Sequence, residues 1–292
     1  MDIFEQNVIR SWGDTGRAWL KALPVIIKHL THYWDLSKLE PVKNLSYNYV
    51  MLGYQGATPI VLKISCDPKE LKNEHIALTT YNGNNCIRLL ASNDEYNALL
   101  LEQAIPGTTL VPFFPNCDNE ALEHTSSIMK QLHETALPEN LQLPSLKDWF
   151  KCLFNPHPAL NTYHIRKAQE IVLNLLATQE KIVLLHGDLH HENILLSSRG
   201  WLAIDPKGIL GDPAYEPCSF MKNPTPEVLK QKELILYRLA RFSELLSLDK
   251  ERIYAWLYVQ SVLDACWAME EGATNSKIAL ASAEIISSIK IN

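Results

Sequence analysis

The stretch HGDLHHENILLSSRGWLAIDP, residues 186–206, decides how this chain reads. Its third residue is an aspartate, Asp188, followed five residues later by Asn193. Two short apolar runs follow, 194–196 and 201–204, on either side of Ser197-Ser-Arg-Gly200, which is a hairpin signal. A second aspartate, Asp205, comes just after the second run. Antiparallel pairing would return Asn193 and Asp205 to the same edge of the hairpin. Phosphoryl transfer needs such a set: a carboxylate to orient a hydroxyl and accept its proton, and oxygen ligands for the magnesium that bridges the ATP phosphates. Asp188 is therefore the candidate catalytic carboxylate, and Asn193 and Asp205 are the candidate metal ligands. The neighbouring His186, His190 and His191 do not follow a zinc-binding spacing. They read as residues that orient the loop backbone.

Working outward, the C-terminal part reads as helical at 226–246, 249–271 and 276–290, and before the motif at 118–136 and 161–178, with a Pro-rich irregular stretch at 138–158. The N-terminal part is richer in strands. Residues 47–52 and 59–65 form two apolar runs across a Gly53–Gly56 turn, with further strands at 87–90 and 98–101. Asp67 caps a helix that has Pro68 at its first position and ends at Asn82-Gly83. A helix over 15–34 precedes them, and Pro24 is expected to bend it. Residues 102–107 (EQAIPG) break the pattern and mark a linker. The expected fold is α+β, with two lobes: a small antiparallel sheet at 1–103 with a preceding helical segment, and a mostly helical lobe at 104–292.

Composition narrows the class. Of the 292 residues, 47% are hydrophobic and 21% charged, as in an ordinary globular protein and unlike a disordered one. The net charge of −6 disfavours nucleic acid as the main partner. The six cysteines form no C-x-x-C pair and no disulfide framework, and they read as reduced thiols. There is no secretory leader and no apolar run of membrane-spanning length, so a cytoplasmic location without membrane contact is expected. The oligomeric state is not readable.

A kinase-type N-terminal lobe needs a lysine on its third strand and a helix glutamate that orients it. Lys63, in an otherwise apolar strand, is the candidate. Glu74 is its favoured partner, and Glu70, one turn earlier, competes for the role. No G-x-G-x-x-G occurs. The corresponding stretch, Asn44 to Val50, holds no glycine, and Ser46 and Asn48 are left as candidate phosphate donors. Tyr47 and Tyr49 read equally well as core residues.

The string HGDLHHENIL with AIDP resembles the H-G-D-x-x-x-x-N and I-D segments of the aminoglycoside phosphotransferase family. AIDPKGILGDPAYE (203–216), GRAWLKALP (16–24) and AWLYVQSVLDACWAMEEG (255–272) resemble its streptomycin 6-phosphotransferase and hydroxyurea-resistance kinase branch. The resemblance spans roughly residues 12–272. It implies a protein-kinase-like fold, ATP and Mg2+ as cofactors, and transfer to a hydroxyl of a small molecule, with a cationic aminoglycoside such as streptomycin as the leading acceptor. It also places the adenine edge against the backbone of Glu102, Gln103 and Ala104. A cationic acceptor calls for carboxylates and aromatic faces. The candidates are Glu216, Asp264, Trp267, Glu270 and Glu271, of which Asp264, Trp267 and Glu271 share one helix face. Asp212, in a Gly-Asp-Pro turn, reads as an anchor for the catalytic loop. Lys207 reads either as a phosphate contact or as a solvent-facing lysine, and no role is assigned to it. A metabolic kinase acting on an amino alcohol, sugar or nucleoside-like molecule, and a non-catalytic nucleotide-binding module, are the competing readings. A protein kinase is disfavoured by the missing D-F-G and A-P-E segments.

Overall fold

The computed structural model describes residues 3–160, 162–270, 272 and 275–291. The chain opens with α1 (Ile3–Tyr33), a longer helix than the sequence suggests. Its apolar residues Phe4 and Val8 are buried, and so are Leu23 and Leu30 further on. Gly13, at φ 54 and ψ −125, interrupts the helix, and a Cβ on Gly16 would come within 2.6 Å of the Val8 carbonyl. Two glycines are thus what lets the first three turns fold back on the rest. Pro24 lies inside the continuous second half.

A five-stranded antiparallel sheet follows, in the order β1-β2-β3-β5-β4. Its strands are β1 (Leu36–Pro41), β2 (Asn48–Gln55), β3 (Thr58–Ser65), β4 (Leu89–Asn93) and β5 (Ala98–Glu102), with α2 (Pro68–Tyr81) between β3 and β4. The β2–β3 hairpin turns at Gly56 and Ala57, so β2 continues through Gly53 and only the last residue of the Gly53–Gly56 turn read from sequence lies in the observed one. Strand β1 had no signal, because only Leu36 of its six residues is buried. Asp67 caps α2 as expected, accepting from the Lys69 and Glu70 amides at 2.8 and 3.2 Å.

The sheet serves two cores. On one side Ile60, Leu62, Ile64 and Leu100 pack with Phe4, Val8, Leu23 and Leu30 of α1. On the other, Leu99 and Leu101 join Leu71, Leu78 and Tyr81 of α2 in the large cluster that continues through the helical lobe. Helix α2 is therefore shared between the lobes, and the Tyr81 hydroxyl donates to the Leu184 carbonyl at 3.1 Å. The segment read as a linker runs into a short strand, β6 (Pro106–Thr109), which pairs with the hairpin strand at Ile194–Ser197.

The helical lobe contains α3 (Asp118–His133), α4 (Leu146–Trp149), α5 (Thr162–Ala177), α6 (Pro217–Lys222), α7 (Lys232–Leu246), α8 (Lys250–Glu270) and α9 (Ser276–Ser287). Its small strands are β7 (Val183–Leu185), β8 (Ile194–Ser197), β9 (Gly200–Ala203) and β10 (Ile209–Gly211). Arg238 of α7 is fully buried. It holds both Asp118 oxygens, at 2.9 and 2.6 Å, and donates to the Phe220 and Asn223 carbonyls, so its charge is fully paired. Among the described residues, no helix is long and apolar enough to cross a membrane.

Candidate active site

The β8–β9 hairpin pairs Ile194 with Ala203, and the Ile204 amide donates to the Asn193 carbonyl at 2.9 Å. Asn193 and Asp205 accordingly emerge at one edge. Both line a cavity of about 750 Å³ between the lobes, together with Lys63, Glu74, Ser46, Asn48, Glu102 and Ala104. The Asn193 side-chain amide donates to the Asp188 carbonyl at 2.8 Å, which ties the two ends of the catalytic loop. The Asp188 side chain stays 38% exposed.

Lys63 donates to Glu74 at 2.5 Å and to Asp205 Oδ1. Glu70 instead pairs with Lys207 at 2.7 Å, so the choice between the two glutamates resolves toward Glu74. Two acids thus share the Lys63 ammonium, and they fare differently. Burial alone would raise the Asp205 carboxyl, yet Lys63 and Lys207 hold it below the usual carboxylate range. Burial pushes Glu74 up to about 7, because its half-share in Lys63 is opposed by the nearby Asp205 charge. Burial acts to lower Lys63, but the two carboxylates outweigh it and the ammonium is favoured.

The loop itself is pinned from below. His186 is buried, its Nε2 lies 2.7 Å from the Ile204 carbonyl, and its Nδ1 accepts from the Asp188 amide at 3.3 Å. Burial keeps this imidazole neutral. His191 stacks on Phe220 with ring centroids 3.9 Å apart, and burial lowers it to about 3. Glu216 is the deepest anchor. Its carboxylate accepts from the His186 and Gly187 amides at 2.7 and 2.9 Å and meets His133 Nε2 at 3.3 Å. Although burial opposes ionisation, the His133 contact and the Gly187 amide hold its carboxyl below the ordinary value.

This geometry corrects two expectations. Glu216, expected to face an acceptor, is buried and committed to the loop backbone. Asp212, expected to anchor that loop, instead accepts from the Ala214 amide, Arg252 and Trp256 Nε1, and so fixes α8 to the preceding turn. Of the other acceptor candidates, Asp264 pairs with Lys222, Trp267 is partly buried, Glu270 is exposed, and Glu271 lies outside the described residues. Trp267 meets Trp149 edge-on at 5.5 Å, and the Trp149 ring lies against Gly187, the residue before Asp188. Trp149 thus brings an aromatic wall to the catalytic loop. It sits in the Pro-rich stretch, where no periodicity singled it out.

On the nucleotide side, the Glu102 amide is already donated to the Arg88 carbonyl at 2.9 Å, so it is not free for an adenine edge. The Glu102 carboxylate binds Arg199 of the β8–β9 turn at 2.5 and 3.0 Å. Ala104 lines the cavity; Gln103 does not. Asn48 Oδ1 is buried without a partner, in the wall where phosphate contacts were expected. The glycine-free loop before β2 is braced by α1: the Asn7 amide donates to the Ser46 carbonyl at 3.2 Å, Arg10 donates to the Tyr47 hydroxyl at 3.3 Å, and Trp12 packs edge-on against Tyr47.

A family model described as aminoglycoside/hydroxyurea antibiotic resistance kinase matches residues 34–272. A streptomycin 6-kinase of Streptomyces glaucescens is 27% identical over 277 residues, covering 90% of this chain and 89% of the relative. A streptomycin 3''-kinase of Klebsiella pneumoniae is 29% identical over 249 residues, covering 82% and 91%. Among solved structures, an aminoglycoside phosphotransferase, APH(4)-Ia, shares the fold with a TM-score of 0.68 at 16% identity, over 91% of this chain and 99% of that one.

Proposed function

Since the chain belongs to the aminoglycoside/hydroxyurea antibiotic resistance kinase family, we propose that it transfers the γ-phosphoryl group of ATP to a hydroxyl of an aminoglycoside, with streptomycin the leading acceptor. The observation that carries this reading is the convergence of Lys63, Glu74, Asn193 and Asp205 on one cavity, beside a loop that presents Asp188.

In this proposal residues 1–103 form the nucleotide-binding lobe and residues 104–292 the catalytic and acceptor lobe. Lys63, oriented by Glu74, binds the α/β-phosphates, and Ser46 and Asn48 lie along the phosphate path. Ala104 flanks the adenine. Asp188 orients the acceptor hydroxyl and takes its proton as the oxygen attacks the γ-phosphorus and the bond to the β,γ-bridging oxygen breaks, releasing ADP. The side-chain oxygens of Asn193 and Asp205 make a hard donor pair suited to Mg2+. Bound there, the ion would neutralise charge on the phosphates.

A second reading follows from the acceptor side. With Glu216 buried in loop support and Asp264 already paired to Lys222, the wall beside Asp188 is more aromatic than acidic. That favours a smaller or less cationic hydroxyl acceptor than streptomycin. Mass spectrometry after incubation with ATP, Mg2+ and a panel of aminoglycosides, hydroxyurea, amino alcohols and sugars separates the two. Gain of one phosphoryl group on streptomycin supports the first reading, and gain only on a small neutral acceptor supports the second. If nothing in the panel is modified while ATP is bound, a non-catalytic nucleotide-binding module is the better description.

A further inference from the structure

The segment Asp205-Pro-Lys207-Gly208 places a second ammonium at the site. Gly208 lies at φ +64, and a Cβ there would fall 2.7 Å from the Asn73 carbonyl of α2. The turn is thereby pressed onto α2, and Lys207 has little latitude. Its backbone amide donates to the His186 carbonyl at 2.7 Å, and its Cβ packs beside Gly187, next to Asp188. Its ammonium donates to Glu70 at 2.7 Å and stands 3.7 Å from Asp205 Oδ2, while Lys63 occupies Oδ1. Two lysine–glutamate couples, set one turn apart on α2, therefore converge on the two oxygens of a single carboxylate.

A strut between the lobes would need only the Glu70 contact. Lys207 also lies close to both carboxylates, the one assigned to the acceptor hydroxyl and the one assigned to the nucleotide: its Cβ packs beside Gly187, next to Asp188, and its ammonium is 3.7 Å from Asp205 Oδ2. The transferred phosphoryl group must cross the interval between the two carboxylates, and its charge is spread over its equatorial oxygens as it does. The catalytic loop, HGDLHHEN, carries no lysine or arginine of its own. The Lys207 side chain is 26% exposed, enough to reach a neighbouring anion. We propose that Lys207 is a further catalytic residue whose ammonium contacts the γ-phosphoryl group, exchanging its hold on Asp205 for the phosphate oxygens. The inference rests on the kinase reading above and extends it to a residue outside the HGD and Asn193 motif.

The test compares AMP-PNP and ADP, each with Mg2+, by isothermal titration on the full chain, with turnover measured in parallel. Lys207→Gln is expected to lose at least tenfold of the preference for AMP-PNP over ADP. Its ADP affinity should stay within about threefold, and kcat should fall about 10²–10³-fold. Lys207→Arg should recover part of both, and Glu70→Gln, which removes the strut but keeps the ammonium, should retain the AMP-PNP preference. Equal losses of melting temperature and ADP affinity in Lys207→Gln and Glu70→Gln, with the AMP-PNP preference intact in both, would reduce Lys207 to a strut and overturn the proposal. The titration needs no acceptor, so a failed acceptor search would count against the proposed function without deciding this point.

Discussion

The catalytic loop and the phosphate loop face each other across one cleft but are held by different means. Residues 186–193 are fixed by specific side chains: the buried Glu216 carboxylate makes charge-assisted bonds to two backbone amides, His186 meets the Ile204 carbonyl, and Asn193 donates to the Asp188 carbonyl. Among the described residues, the loop before β2 has no buried charged anchor of this kind, and its base is closed by the Val42 amide donating to the Val50 carbonyl at 3.0 Å. It is steadied from outside, by Asn7 and Arg10 of α1 in exposed contacts. The difference follows from what each loop must supply. A carboxylate that takes a proton must be placed within a fraction of an ångström, so its supports are specific side chains. A phosphate cradle supplies largely backbone donors, which many sequences provide once the chain is held at the right height.

If that contrast is right, the largest loss should follow from cutting the inner anchor. Glu216→Ala leaves two amides and His133 without their acceptor, and should destabilise the fold by about 3–5 kcal/mol. Thermal unfolding should show this, together with a fall in kcat larger than any change in ATP affinity. Glu216→Gln keeps the shape and should lose less.

The pH dependence sharpens the same point. Buried, neutral His186 and His191 have values depressed below the usual figure of about 6.5. They make the fold lose stability as pH falls below that figure, because the unfolded chain binds protons there that the native state does not. Glu216 lies below its ordinary value, so its contribution is complete above about pH 4.3 and is lost as pH falls further. Denaturant titrations at several pH values should therefore show a shallower slope below about pH 4.5 in Glu216→Gln.

The smallest effect is expected at the outer brace. The double variant Asn7→Ala/Arg10→Ala removes two hydrogen bonds from the phosphate loop, each worth about 0.5–1.5 kcal/mol. ATP affinity should weaken about two- to tenfold, with kcat and melting temperature nearly unchanged. A kcat loss as large as that of Glu216→Ala would erase the distinction between the loops.

The same contrast explains what the sequence disclosed. The hairpin behind the catalytic loop was legible because its turn signal and flanking polar residues are local, and local pairing alone brings Asn193 and Asp205 to one edge. The Lys63–Glu74 pair was legible because a lysine in the apolar strand β3 demands a partner. Glu216 took the loop-anchoring part expected of Asp212 because both are buried in one Pro-containing turn, and only tertiary packing gives Asp212 to Arg252 and Trp256 of α8 and Glu216 to the loop amides. The first half of α1 was missed although Phe4 and Val8 have helical spacing. Its partner, the phosphate loop, lies some forty residues on, and no local pattern joins them. Trp149 has no periodicity, and its place beside Gly187 is set wholly by tertiary packing.

The most direct measurement is single-turnover phosphoryl transfer by Asp188→Asn, alongside its affinity for Mg2+–AMP-PNP. The account predicts an affinity within about threefold of the unsubstituted protein and a transfer rate lower by about 10²–10⁴-fold. Transfer at an undiminished rate would contradict it, as would a loss of rate fully matched by a loss of nucleotide affinity.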